Sequence, residues 1–423
     1  MEQFDVLVAG GGSAGLAAAV SASRSGAKTL LVERLGSLGG MASASLVHSI
    51  CGLYFLPEHR PGEFCNPGFA AEFASRLLRS GGARGPVKMG KVDVLLHSPF
   101  DFARLADEMI QECANLQINL HSELIGIDPD LRAVEIFCRG TRKRIGVRSV
   151  VDCTGDGVVA ALAGHEFERE PSARLQRPAY IFSMQNVAPQ AIADNGRMRI
   201  ARLIVGAVRE NRLDRGALGA ALRGGHQEGE VYVTIDLAAT ENFDPTDPAC
   251  LTQLEIDGRR FAGEISEFLI ERVEGFEKSR IGSVPARVGV RESRRVVCEY
   301  RMEAADLSKG ARFEDSVAIA TWPMELREQA TGPKLRYPDD NLPCDIPLRS
   351  LRARGVSNLF IAGRCIGASH EAQASIRVIG TCLATGESAG IAAALQAGNE
   401  DVSAPAVQAG RSRIIAAYPV EGI

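Results

Sequence analysis

The chain has 423 residues, 45% of them hydrophobic and 24% charged, which is the composition of an ordinary globular protein with room for two or three structural units. Its 48 basic and 52 acidic side chains leave a net charge of -4, so no overall field draws it to nucleic acid or to an anionic membrane. Ten cysteines stand singly. Without a C-x-x-C pair they suggest neither a redox disulfide nor a zinc or iron–sulfur site, and they are expected as reduced, mostly buried thiols in a protein with no metal. No signal-peptide pattern precedes the first strand and no run of about twenty apolar residues is present, so a cytoplasmic protein without a membrane span is expected.

In chain order, the first predicted element is a short apolar strand, Phe4 to Ala9. It runs into Gly10-Gly11-Gly12-Ser13-Ala14-Gly15, which satisfies G-x-G-x-x-G. An Ala-rich helix from Leu16 to Ser25 follows, ends at Gly26, and leads to a second buried strand, Thr29 to Glu33. This is a complete β-α-β unit. Gly10 permits the tight turn, Gly12 lets the backbone approach a pyrophosphate, and Gly15 lets helix and strand pack closely. Free N–H groups at the helix start, at Ser13 and Ala14, favour the phosphates. Glu33, about twenty residues after the loop, is placed to accept bonds from ribose hydroxyls, and an acid there would repel the 2′-phosphate of NADP.

A plain NAD dehydrogenase would continue with further short β-α units. Here the second strand opens instead into Arg34-Leu35-Gly36-Ser37-Leu38-Gly39-Gly40-Met41. This E-R-x-x-x-x-G-G segment resembles that of the glutathione-reductase-like flavoproteins, where it runs beneath FAD. The resemblance implies that Arg34, Gly39, Gly40 and Met41 lie beside the phosphate and flavin. A helix from Phe100 to Cys113 and a meander of strands, Ile118 to Ile125, Val134 to Arg139 and Lys143 to Val147, are predicted next. The meander closes on the apolar run Ser149 to Cys153 and Thr154-Gly155-Asp156-Gly157, which is similar to the second FAD-contacting motif of the same flavoproteins. By that resemblance Thr154, Gly155 and Asp156 face the cofactor, and the Leu124 backbone amide serves the adenine.

From Gly164 to Pro338 the pattern changes to mixed elements, with strands predicted at Ala179 to Gln185 and Glu230 to Asp236 and a helix at Leu251 to Glu274. This is the expected place for an inserted α+β substrate or cap domain. The expected fold is therefore α/β: a three-layer, Rossmann-like FAD-binding domain with a β-meander, split between residues 1–163 and 339–423, and a second domain at 164–338.

The last third carries Ala362-Gly363-Arg364-Cys365-Ile366-Gly367-Ala368-Ser369-His370-Glu371-Ala372 and continues to Val378, preceded by Val288 to Arg295, V-G-V-R-E-S-R-R. Both segments resemble a subgroup known as FAD-dependent oxidoreductases. That resemblance implies a strand whose Ala-Gly end at Gly363 reaches the ribityl chain, then a helix with Ile379, Gly380 and Thr381 at its start, aimed at the flavin pyrimidine. Many relatives carry Asp where this chain has Arg364. A guanidinium accepts no ribityl hydroxyl bonds, so Arg364 is expected to approach the phosphates or an acid such as Asp156, and the flavin hydroxylase and halogenase readings lose support.

Candidate catalytic residues are few, because a flavin carries its own redox chemistry. His370 is set to take a proton from substrate, or else to shape its loop by hydrogen bonding. Arg377 suits a substrate carboxylate or a reduced flavin anion, and Arg291, Arg294 and Arg295 offer similar charge unless paired with Glu292 and Glu299. His48 and Tyr54 follow the Gly40 loop and stand within reach of the flavin face. The expected function is hydride transfer between flavin N5 and a small organic, carboxylate-bearing substrate, by a dehydrogenase or reductase with an unidentified electron acceptor, and homo-oligomers are compatible with it. The alternatives are an oxygen-using amine or hydroxy-acid oxidase, a peripheral membrane quinone reductase, and a flavin-bearing RNA-modification or scaffold protein; the net charge and the lack of a basic tail weigh against RNA.

Overall fold

The computed structural model describes residues 1–238, 243–329 and 332–419. Its central sheet is a run of parallel strands in the spatial order Leu116–Asn119, Thr29–Val32, Glu2–Ala9, Thr141–Asp152, Leu359–Ile361. The C-terminal strand thus completes a sheet begun 350 residues earlier in the chain by pairing Leu359 with Val150 and Ile361 with Asp152. An antiparallel hairpin, Glu123–Ile127 with Ala133–Cys138, joins the first half of Thr141–Asp152.

Strand alternation divides the core into layers. Val6 and Val8 face the apolar cluster that includes the helices Ser13–Arg24, Pro99–Gln111 and Ile379–Ala397, while Leu7 and Ala9 face a second cluster with the hairpin residues Val134 and Ile136. Helices, sheet and meander form the three layers expected. The helix Ile379–Ala397 crosses Ser13–Arg24 closely. A Cβ on Gly386 would stand 2.1 Å from the Ala14 carbonyl oxygen, and one on Gly390 2.2 Å from that of Ala18. The helix is hydrophobic on every side because it is buried on every side. Among the described residues no single helix is long and apolar enough to cross a membrane, and no cluster of three His, Cys, Asp or Glu could hold a metal ion.

Two expectations about the meander are corrected. The stretch Ile118 to Ile125 is two strands, because His121 takes a positive φ of 53° and the Ser122 N–H donates to the Glu33 carbonyl, turning the chain out of the parallel sheet. Conversely, Lys143 to Val147 and Ser149 to Cys153 belong to one long strand, Thr141–Asp152, which changes partners along its length.

A second apolar core lies between Leu175 and Val288. Its antiparallel sheet orders Ala220–Gly224, Val231–Asp236, Ala179–Gln185 and Arg280–Ser283. The helix Pro248–Arg272 packs on it with Leu254, Phe261 and Ile265. It begins where Asp247 accepts the Cys250 N–H at 2.8 Å and Pro248 occupies a position needing no donor. After Met302 the chain returns to the first core, to which Val317, Ala318, Cys344 and Ile346 contribute.

Candidate functional site

One elongated cavity runs from the C-terminal end of the parallel sheet to the face of the antiparallel sheet. At its first end the glycine loop leaves the Glu2–Ala9 strand. Gly10 has φ 94°, and a Cβ there would meet the Cys153 carbonyl at 2.6 Å; a Cβ on Gly15 would lie 1.7 Å from the Gly10 oxygen, whereas one on Gly12 would meet nothing within 4 Å. The turn is therefore tight, the helix is seated on it, and open space remains above Gly12 at the start of the helix Ser13–Arg24. Buried Glu33 accepts the Gly11 N–H at 2.6 Å and the Leu35 N–H at 2.8 Å. The Gly39 N–H donates to the Gly11 carbonyl at 2.9 Å, so the second glycine loop lies directly against the first.

Asp152, fully buried at the end of its strand, organises the T-G-D-G turn. It accepts the Thr154 N–H and hydroxyl at 3.1 and 2.7 Å and the Val159 N–H at 2.9 Å. Burial raises its pKa against these bonds. Asp156 sits in the opposite balance: burial works against its charge, but Arg364, the Ser293 hydroxyl, Arg34 and Arg287 outweigh it and hold the pKa low. Arg364 does reach Asp156, and its Nε donates to the Gly155 carbonyl at 2.8 Å.

The other end is built by side chains. His48 is buried and stacked on Tyr232 with ring centroids 3.9 Å apart, and neither ring nitrogen has a hydrogen-bond partner among the described residues. Burial, with His97 and Arg223 nearby, pushes its pKa down to about 3, so the imidazole is neutral. Arg291 and Arg327 each donate to Asp236 at 2.7 Å, and Arg327 also reaches Glu325 at 2.7 Å. The Trp322 indole N–H takes the other Glu325 oxygen at 3.0 Å. Burial opposes the Glu325 charge, and Arg327, Arg377 and Arg291 override it, leaving a pKa of about 2. Among the described residues Arg377 bonds only the Gln176 side-chain oxygen, at 3.0 Å, and its buried Nε has no partner; burial and Arg291 bring its pKa down to about 10. Cys51 in the same wall is pushed up by burial to about 12 and is a thiol, not a nucleophile.

Of the residues expected at the site, Gly10, Gly12, Ser13, Ala14, Glu33, Arg34, Gly40, Met41, Leu124, Thr154, Gly155, Asp156, Gly363, Arg364, Ile379, His48 and Arg377 line this cavity. Gly15 and Gly39 stand behind it as packing. Gly380 and Thr381 do not line it: a Cβ on Gly380 would meet the Gly52 carbonyl at 2.6 Å, and the Gly380 N–H is spent on the Cys51 carbonyl at 2.9 Å. The expectation that His370 takes a substrate proton is corrected. It does not line the cavity, and both nitrogens are occupied, Nδ1 by Glu292 at 2.8 Å and Nε2 by Glu328 at 3.1 Å. Burial disfavours its charge, yet Glu292 wins and the pKa is raised. The hydrogen-bonding role is the one the geometry favours. Arg295 is likewise committed to Glu292 and Glu170.

Sequence reasoning missed Arg287, Arg223 and the Trp322-Pro323-Met324-Glu325-Leu326-Arg327 wall. Arg287 stands one residue before the Val288 to Arg295 motif, which is the only signal that marked it. Its Nη2 would be 3.7 Å from a Cβ on Gly40, its Nε has no partner, and burial, then Arg34 and Arg364, bring its pKa to about 10.

A parallel sheet with a glycine-floored crevice at its carboxyl edge, an acid on the second strand and a side-chain-lined chamber alongside define a dinucleotide-binding redox protein. The family model described as FAD dependent oxidoreductase matches residues 5–411, and the chain belongs to that family. It is an FAD-dependent enzyme, and its residues fit the cofactor. The open space over Gly12 and the uncompensated Arg287 beside Gly40 suit a diphosphate, Glu33 retains acceptor capacity for a ribose, and the crevice continues past Gly363 to the chamber.

Solved structures similar in fold include a geranylgeranyl bacteriochlorophyll reductase-like protein from Thermoplasma acidophilum, with 14% identity, 99% of this chain and 84% of that chain covered, and a TM-score of 0.46. A p-nitrophenol 4-monooxygenase from Pseudomonas putida gives 13%, 99%, 94% and 0.47. A flavin-dependent brominase gives 11%, 97%, 83% and 0.48. At these identities the likeness bears on neither substrate nor mechanism.

Proposed function

We propose that the enzyme is a dehydrogenase or reductase of the glutathione-reductase-like branch that transfers a hydride between a small carboxylate-bearing molecule and FAD. Bound flavin supplies the hydride acceptor or donor at N5. The observation that carries this reading is Arg377, a half-buried side chain in the chamber wall whose Nε is buried and which has no carboxylate within salt-bridge distance among the described residues. A cation partly withdrawn from water and bonded only to a neutral amide is costly, and a substrate carboxylate removes that cost by bidentate bonding. His48 presents a neutral imidazole to the same chamber, suited to hydrogen-bond the reacting end of the substrate rather than to carry charge. The core between Leu175 and Val288 serves as the substrate domain, and the FAD-binding domain takes in, besides residues 1–163 and the C-terminal segment, the stretch after Met302 that returns to the first core, rather than resuming only at 339; the enzyme acts in the cytoplasm with a separate electron acceptor.

Anaerobic mixing of the holoenzyme with organic acids, amines and neutral alcohols tests this. Acids are expected to bleach the oxidised flavin band, or their unsaturated or keto counterparts to restore colour to the reduced enzyme. Bleaching by amines or neutral alcohols and by no acid would falsify it.

A further inference from the structure

We propose that the chamber holds a second anion site at Arg223, so that the substrate is a dicarboxylate. The proposal rests on Arg377 as the first carboxylate anchor. Four arginines line this end of the cavity, and they fall into two kinds. Arg291 and Arg327 close on Asp236, and Arg327 also on Glu325, so two cations meet two anions within 2.7 Å. Among the described residues Arg377 and Arg223 have no such partner. Arg223 rises from the Ala220–Gly224 strand, and it donates to the Met89 sulfur, a weak acceptor.

The two unpaired guanidiniums serve one volume. Both act electrostatically on the Cys51 thiol and on Glu325, whose own oxygens are taken by Arg327 and Trp322. Burial is the largest influence lowering the pKa of each, the mark of a cation removed from water without enough counter-charge. Two positive charges without a carboxylate in salt-bridge contact among the described residues, one just before the helix Ile379–Ala397 and one on the antiparallel sheet, line the same cavity and match a ligand with an anionic group at each end. Were Arg223 only a structural strut, its head group would be expected to close on an acid as Arg291 does.

The test follows flavin absorption of the holoenzyme while malonate, succinate and glutarate, and the monoacids of equal length, propionate, butyrate and pentanoate, are titrated at fixed ionic strength. At least one diacid is expected to bind about tenfold more tightly than its monoacid, the advantage of one added charge-assisted contact. Arg223→Met is expected to erase that advantage while monoacid binding persists, and Arg377→Met to weaken both series. Arg223→Lys keeps the charge and should keep part of the preference, which leaves the test decisive if Arg223→Met loses FAD. Diacids binding no better than monoacids, or a preference untouched in Arg223→Met, overturns the second site while leaving the proposed function standing. If no acid perturbs the flavin at all, the carboxylate reading itself fails first.

Discussion

The two ends of the cavity are made of different material. At the nucleotide end Gly10, Gly12, Gly155 and Gly363 line the wall and bring main chain to the ligand, and at Gly10 even a Cβ would meet the Cys153 carbonyl at 2.6 Å. At the substrate end the wall is mainly side chains from separated segments, among them Val47 to Cys51, Arg223, Arg291, Trp322 to Arg327 and Arg377. A backbone cradle tolerates almost no added atom and recognises a diphosphate whatever else the enzyme does. A side-chain chamber can be re-specified one residue at a time, which is how one fold serves many reactions.

The sharpest break in this comparison comes from two glycines three residues apart. Gly15→Ala forces a Cβ to 1.7 Å from the Gly10 oxygen, so the helix must shift from its strand, and the protein is expected to lose about 2 kcal/mol or more. Gly12→Ala adds its Cβ to empty space. Apoprotein stability should then stay within about 0.5 kcal/mol, while FAD affinity falls at least about tenfold. Urea unfolding of the apoproteins and fluorescence titration with FAD separate the two effects. Equal destabilisation by both would mean that the loop is not divided into a packing glycine and a ligand glycine.

Arg287 sharpens the same division, being a side chain that serves the backbone end. Its removal in Arg287→Ala should weaken FAD by about ten- to hundredfold, the worth of one or two hydrogen bonds to a charged group, and flatten the salt dependence of binding. Riboflavin, which has no phosphate, should bind the variant and the wild type alike. Equal losses for FAD and riboflavin would reassign Arg287 to holding the fold.

What the sequence revealed follows this division. The β-α-β unit, Glu33, the T-G-D-G turn and the return of Leu359–Ile361 to the sheet were legible because a phosphate-binding backbone demands glycines at fixed spacings. Even Arg364 was legible, since a guanidinium at a ribityl position must find an acid, and Asp156 was the acid nearby in the motif. Arg223, Asp236 and Glu325 carry no local pattern, because they converge from two neighbouring strands of the antiparallel sheet and from the separate strand Met324–Leu326. His370 misled for the converse reason. It stands in the most recognisable motif of the chain, yet its neighbours Glu292 and Glu328 come from 78 and 42 residues away and turn it from the cavity.

The smallest expected effect separates these histidines by pH. His48 and His97 are buried neutral, lowered to about 3 and 4, in each case chiefly by burial. An unfolded histidine titrates near ~6.5, so between there and about pH 4 the unfolded chain binds protons that the native one refuses. Stability is therefore lost as pH falls through that window, at up to about 1.4 kcal/mol per pH unit for each group. His370 has the opposite sign: its raised pKa gives stability that is complete below the unfolded value and lost as pH rises through the folded one. His48→Phe keeps the stack on Tyr232 and removes the titrating nitrogens. Its urea-unfolding free energy, measured on FAD-saturated protein from pH 4.5 to 7.5, should show a shallower acid limb than wild type and an unchanged alkaline one. An acid limb of unaltered slope would mean that His48 is hydrated and already free to protonate, and the neutral donor assigned to the chamber would be lost with it.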